Sequence, residues 1–196
     1  MKSKKDIVKD LKIEVDSILF FDMDGTLIDT NLANFLSYKK ALQSVIKLDN
    51  AIQYNPNERF NRTTLKIVVP NLTEIEYKKI IQQKEENYKG YLSQTKLNKS
   101  VVEILTKYYK MNKTVLVTNC RKDRALMTLN YHNLTDKFSN LFFRQTSDNE
   151  PQTNKYENAI SCLSLSAQKV LVFENEKQEI EDAILAGISI NNIINL

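Results

Sequence analysis

The sequence predicts an α/β fold: a doubly wound parallel sheet interrupted by a block of helices. Three observations carry this reading. Short runs of consecutive apolar, β-favouring residues recur at 18–21, 114–117 and 169–173, the pattern of parallel strands buried on both faces. From residue 95 onward, strand-like and helix-like stretches alternate, as crossover connections require. Between the first run and the second lie about ninety residues of almost purely helical pattern, far more than one crossover helix needs.

The first strand, Ile18-Leu19-Phe20-Phe21, runs directly into Asp22-Met23-Asp24-Gly25-Thr26. In extended geometry Asp22 and Asp24 point the same way, so two negative charges converge at the carboxyl end of a buried strand, where open α/β sheets place their ligands. Such a pair needs a cation or a proton. Gly25 can turn the chain off the sheet, and Thr26 adds a hydroxyl. A calcium loop also opens Asp-x-Asp, but it requires Gly sixth and Glu twelfth. Here Gly25 is fourth and Ala33 twelfth, which excludes it.

Taken in order, residues 4–11 read as a short polar helix. Leu32, Phe35, Leu36, Ala41, Leu42, Val45 and Ile46 mark a helix that ends before the Pro56 loop, and a second helical patch follows Arg59. Thr73 and Glu76 form a capping box ahead of Tyr77, Ile80, Ile81, Lys84 and Tyr88 at three- and four-residue steps. Ser100 and Glu103 suggest another box, opening a helix through about Lys110. The strand at 114–117 is followed by a helix over 121–130, a short strand at 141–143 and a helix over 155–163. After the strand at 169–173 come a helix over 179–186, ended by Gly187, and a last strand within 190–194. The predicted organisation is a core of residues 1–30 and 95–196 with a helical insertion at 31–94.

Composition narrows the function classes. In 196 residues, 28 Lys and Arg against 24 Asp and Glu give a net charge of +4. The lysines are spread along every segment, whereas a nucleic-acid surface wants clustered basic and aromatic residues. The expectation is therefore no nucleic acid. Three glycines cannot write either glycine-rich nucleotide loop. Two cysteines and one histidine suggest neither a disulfide framework nor a zinc cluster. With no long apolar run, the expectation is a cytoplasmic protein that engages no membrane.

The string from the apolar strand through Asp22-Met23-Asp24-Gly25-Thr26-Leu27 closely resembles the first motif of the haloacid dehalogenase (HAD) superfamily, most of whose members are phosphatases and phosphomutases. Further resemblances follow in the family's order. Thr118-Asn119 after the second strand is similar to its hydroxyl-bearing motif, and Lys155 matches its lysine at a helix start, with Tyr156 where Pro is common. Glu174-Asn175, then Glu179 and Ala186-Gly187, resemble its acidic strand end, with Asn175 where a metal-binding Asp is usual.

The resemblance implies that Asp22 attacks phosphorus to form an aspartyl-phosphate while Asp24 acts as general acid and base. It also implies that Thr118, Asn119 and Lys155 bind phosphate, and that Mg²⁺ is held by Asp22, Asp24 and Asn175 or Glu174. An Asn carbonyl is an acceptable oxygen ligand for Mg²⁺ but lacks the charge of a carboxylate. The inserted helices would be a cap, with Arg59, Arg62 and Lys84 as candidates for reading a second anionic group on the substrate. A Lys aligned with apolar neighbours can equally lay its stem along them and reach solvent.

The expected function is a Mg²⁺-dependent phosphatase of a small phosphorylated metabolite, acting as a monomer or weak homodimer. A sugar-phosphate mutase of the β-phosphoglucomutase type would use the same Asp pair. A non-catalytic binding protein retaining the fold is the reading that Asn175 motivates.

Overall fold

The apolar run of the first motif becomes the central strand of the computed structural model, which describes residues 13–46, 52–144 and 153–196. In chain order the strands are β1 (Ile18–Phe21), β2 (Ile28–Asp29), β3 (Lys96–Leu97), β4 (Lys113–Val117), β5 (Asn140–Phe142), β6 (Val170–Glu174) and β7 (Ile193–Asn195). The described helices are α1 (Asn31–Val45), α2 (Arg62–Val68), α3 (Glu74–Tyr88), α4 (Lys99–Tyr108), α5 (Lys122–Tyr131), α6 (Lys155–Cys162) and α7 (Lys177–Leu185). The chain divides into two compact units, one of Met1–Ile28 with Leu97–Leu196 and the other of Asp29–Lys96. No described helix is long and apolar enough to cross a membrane.

In the first unit, five strands lie in the order β5-β4-β1-β6-β7, every pairing parallel. Side chains alternate across the pleat, so each strand feeds two cores. Leu19 and Phe21 join Leu116 and Phe173 against Leu105 of α4 and Leu129 of α5. Phe20 joins Val115, Val117 and Val172 against Ala159 of α6 and Ala183 of α7. Phe21 and Phe173, opposite each other in the β1–β6 register, stack with ring centroids 4.6 Å apart. This two-sided burial is why a continuous apolar run, rather than an alternating one, encodes each inner strand.

In the second unit α1 packs on α3 around Phe35, Tyr38, Leu42, Leu65 and Ile80. Its helix starts are well encoded. The Asn61 side chain accepts from the N–H groups of Thr63 and Thr64, and the capping box expected from Thr73 and Glu76 is formed at α3.

Some expectations need correction. The box expected from Ser100 and Glu103 is not made. Asn98 precedes α4, Ser100 already lies inside its first turn and donates its hydroxyl to Asn98 Oδ1 at 2.9 Å, and the helix stops at Tyr108. The last strand is shorter than expected, because Ile190–Asn192 forms a 3₁₀ turn with the Ser189 hydroxyl accepting from the Asn191 N–H. Lys84 does not reach water. It is 3% exposed, with Nζ 3.1 Å from Glu85 Oε1 and facing the rings of Tyr38 and Tyr88 at 5.4 and 5.5 Å. The helix expected over residues 4–11 falls outside the described residues.

Candidate active site

The parallel register brings the carboxyl ends of β1, β4 and β6 together, with Phe21 opposite both Leu116 and Phe173. The chain leaves β1 through a tight loop. The N–H groups of Leu27 and Ile28 both reach the Met23 carbonyl, and the Gly25 N–H reaches Ile28 O. Gly25 adopts φ +92°, and a Cβ there would lie 2.7 Å from the Asn175 amide nitrogen. Its missing side chain therefore serves both the turn and the approach of the β6 end to the β1 loop.

Asp22 and Asp24 are both buried, at 6% and 5% exposure. Each has a cationic partner. Lys155, the first residue of α6, donates from Nζ to Asp22 Oδ1 at 2.9 Å and to Glu174 Oε2 at 2.9 Å. The same ammonium lies 3.2 Å from Glu179 Oε2. Arg124 on α5 donates from Nη2 to Asp24 Oδ2 at 3.1 Å. The start of α6 is itself fixed by Asn154. Its Oδ1 accepts from the Tyr156 and Glu157 N–H groups, and its Nδ2 donates to the Asp182 carbonyl of α7 at 2.6 Å.

Glu174, an expected metal ligand, accepts from protein donors in this structure. Its Oε1 accepts from the N–H groups of Asn175 and Glu176, and its Oε2 accepts from Lys155 and, at 2.6 Å, from the Tyr156 hydroxyl. Both oxygens of this fully buried carboxylate are thus occupied by donors, making it a counter-charge for Lys155. Asn175 instead accepts at Oδ1 from the Thr26 hydroxyl at 2.9 Å, linking the β6 end to the β1 loop. Thr118 is buried at the end of β4, its hydroxyl oxygen accepting from the Cys120 N–H, and Asn119 donates to Glu179 Oε1 at 2.7 Å. Asn119, Glu179, Lys155 and Asp22 therefore form one connected network.

The electrostatics follow from this burial. Desolvation, reinforced by Glu174 and Asp24 and opposed by Lys155, pushes the Asp22 carboxyl up to about 7. Burial works against charge on Lys155, but the carboxylates of Asp22, Glu174 and Glu179 outweigh it and hold the ammonium above the ordinary lysine value. Burial first, and Glu174 second, raise the Tyr156 hydroxyl well above its ordinary value, so it serves as a donor.

Asp22, Asp24, Thr118, Asn119, Lys155, Glu174 and Asn175 all lie in the first unit. Arg59, half-buried, and Arg62, exposed at the start of α2, belong to the second, as does Lys84. Nothing in the sequence singles out Arg124 among 28 basic residues. Tyr156 stood out only as a departure from a family pattern, although a Tyr directly after the helix-start Lys was the available signal.

Comparison with known proteins adds a family. A model described as haloacid dehalogenase-like hydrolase matches residues 19–193. Among solved structures, one described as a predicted phosphoglycolate phosphatase from Haemophilus somnus is 21% identical, covers 91% of this chain and 85% of its own, and superposes with a TM-score of 0.73. A provisionally assigned β-phosphoglucomutase from Thermotoga maritima is 24% identical, with coverage of 90% and 83% and a TM-score of 0.64. CbbY from Rhodobacter sphaeroides, solved in complex with phosphate, is 11% identical, with coverage of 88% and 84% and a TM-score of 0.72.

Proposed function

This chain belongs to the haloacid dehalogenase-like hydrolase family, and from that premise we propose that it is a Mg²⁺-dependent phosphatase of a small phosphorylated metabolite. The observation that carries the proposal is the pairing of Asp22, at the end of the central strand, with the Lys155 ammonium 2.9 Å away, and the presence of a second buried carboxylate two residues on. In the first half-reaction an Asp22 oxygen attacks phosphorus in line as the bond to the leaving oxygen breaks, and protonated Asp24 passes its proton to that oxygen. In the second half, Asp24 takes a proton from water, the water oxygen attacks phosphorus, and the aspartyl–phosphate bond breaks to release phosphate. Lys155 keeps Asp22 oriented and offsets negative charge on the phosphoryl group. Thr118 and Asn119 supply polar contacts to its oxygens. Substrate choice is assigned to the helical unit, with half-buried Arg59 and exposed Arg62 as the candidate cations.

The donor set suits a hard divalent cation. Among the described residues no three His, Cys, Asp or Glu side chains form a metal-binding group. A site here would therefore combine the Asp22 carboxylate, the Asp24 main-chain carbonyl and Asn175 Oδ1 with water and substrate oxygens, the mixed shell that Mg²⁺ prefers. Burial pushes the Asp22 carboxyl up to about 7 despite Lys155, so a further cation beside it would favour its charged form. Mg²⁺ bound there would screen the repulsion between the attacking carboxylate and the phosphoryl oxygens.

A screen of phosphorylated metabolites for Mg²⁺-dependent phosphate release tests the proposal. No release from any of them, or conversion of a sugar 1-phosphate to the 6-phosphate without release, would overturn it. Asn175→Asp is expected to retain activity and to shift the Mg²⁺ titration to lower concentration, because a carboxylate replaces a neutral carbonyl. A titration midpoint equal to or above that of the wild type would remove Asn175 from the metal shell.

A further inference from the structure

We propose that Arg124 is the residue that positions Asp24 for proton transfer, an inference that rests on the phosphatase reading above. Two of its guanidinium nitrogens tie together separate parts of the chain. Nη2 donates to Asp24 Oδ2 at 3.1 Å, and Nε donates to Cys120 Sγ at 3.0 Å. Cys120 is one helical turn earlier and is itself fixed, its N–H donating to the Thr118 hydroxyl and its carbonyl accepting from the Arg144 N–H. The side chain is 12% exposed and its Asp24 partner 5%. One planar group thus joins the turn after β4 to the loop after β1.

Stability alone does not account for this arrangement. A buried ion pair roughly breaks even against an apolar pair of the same size, because desolvation cancels most of the attraction. Orientation does account for it. An Asp side chain has two rotatable bonds, and a proton donor must meet the leaving oxygen within hydrogen-bond reach. A guanidinium anchored at a second point fixes one carboxylate oxygen and so fixes the direction of the other. Arg124 acts through Asp24, so its effect should scale with how much protonation the leaving group needs.

The test compares kcat/KM, which covers the steps through leaving-group departure, for glycerol 2-phosphate and p-nitrophenyl phosphate. The alkoxide of the first needs the proton, whereas the phenolate of the second departs without it. Arg124→Gln is expected to lower kcat/KM for glycerol 2-phosphate by about tenfold to a hundredfold, and for p-nitrophenyl phosphate by less than about threefold. Arg124→Lys, which keeps the charge but not the fork, should recover part of the glycerol 2-phosphate loss. Should Arg124→Gln not fold, the same substrate ratio is read from Arg124→Lys. Equal losses on both substrates, or a loss confined to KM, would overturn the proposal. Asp24→Asn serves as the reference. If it discriminates between the substrates and the Arg124 variants do not, only the role of Arg124 fails; if Asp24→Asn does not discriminate, the acid assignment itself fails.

Discussion

Asp22→Asn should abolish turnover, lowering kcat by about four orders of magnitude or more, because an amide cannot replace the attacking carboxylate. The fold should survive and, in cation-free buffer, gain stability. Asp22 has a folded-state pKa of about 7, raised chiefly by burial, against about 3.9 in an unfolded chain. A raised carboxyl contributes stability that is complete below the unfolded value and is lost as pH climbs through the folded one. Wild type should therefore lose stability between about pH 4 and pH 7 that the always neutral Asn does not. Thermal unfolding in chelator should show the two proteins close together at pH 4 and the variant several degrees higher at pH 8. A variant that keeps a tenth of wild-type turnover would remove Asp22 as nucleophile, and a gap that narrows toward pH 8 would contradict the burial argument.

Lys155→Met should damage both stability and chemistry. The ammonium is 8% exposed and faces Asp22, Glu174 and Glu179. Deleting one partner of such a group leaves uncompensated buried charge, a loss of about 3–5 kcal/mol, and removes charge stabilisation worth about a hundredfold or more in kcat. The double variant Lys155→Met/Glu174→Gln separates the two effects. A Gln at 174 can still accept from the Asn175 and Glu176 N–H groups and can donate to the Tyr156 hydroxyl oxygen, so most of the stability should return while activity does not. Recovery of activity together with stability, measured by urea unfolding and phosphate release on the same samples, would reduce Lys155 to a structural anchor.

The parts of this molecule that could be read in sequence are those whose physics is contiguous. A strand buried on both faces must be apolar throughout, so β1 announces itself, and the acids that follow it sit two residues apart on the same chain. Lys155 was legible through the family resemblance, which places a Lys at a helix start. Arg124 was not, since its partner lies 100 residues away and no periodicity connects them. Helical spacing put Lys84 on the apolar face of α3 but could not reveal that Tyr38, 46 residues earlier in sequence, would meet its ammonium inside the unit. The Ser100–Glu103 pattern failed for a local reason: Asn98, two residues earlier, stands at the helix boundary instead. Glu174 kept its expected place at the end of β6, but the Tyr156 hydroxyl and the two main-chain N–H groups that meet its oxygens could not be read from the sequence.

The central position of β1 carries a consequence for synthesis. Its four apolar residues leave the ribosome well before the strands that flank it, which begin at Lys113 and Val170. At about 5–20 residues per second, Phe21 waits about ten to thirty seconds for the Phe173 ring on which it stacks. Until then the β6-facing edge of β1 stays unpaired, even once β4 has been made on its other side, and an uncharged strand with an open edge is the kind of segment that chaperones hold and that associates between chains. Messages truncated before codon 170 should accordingly yield insoluble product, whereas loss of only the final strand, β7, removes an edge and leaves β1 paired on both sides. The segment that leads into Asp22 is thus made well before the strand that shelters it.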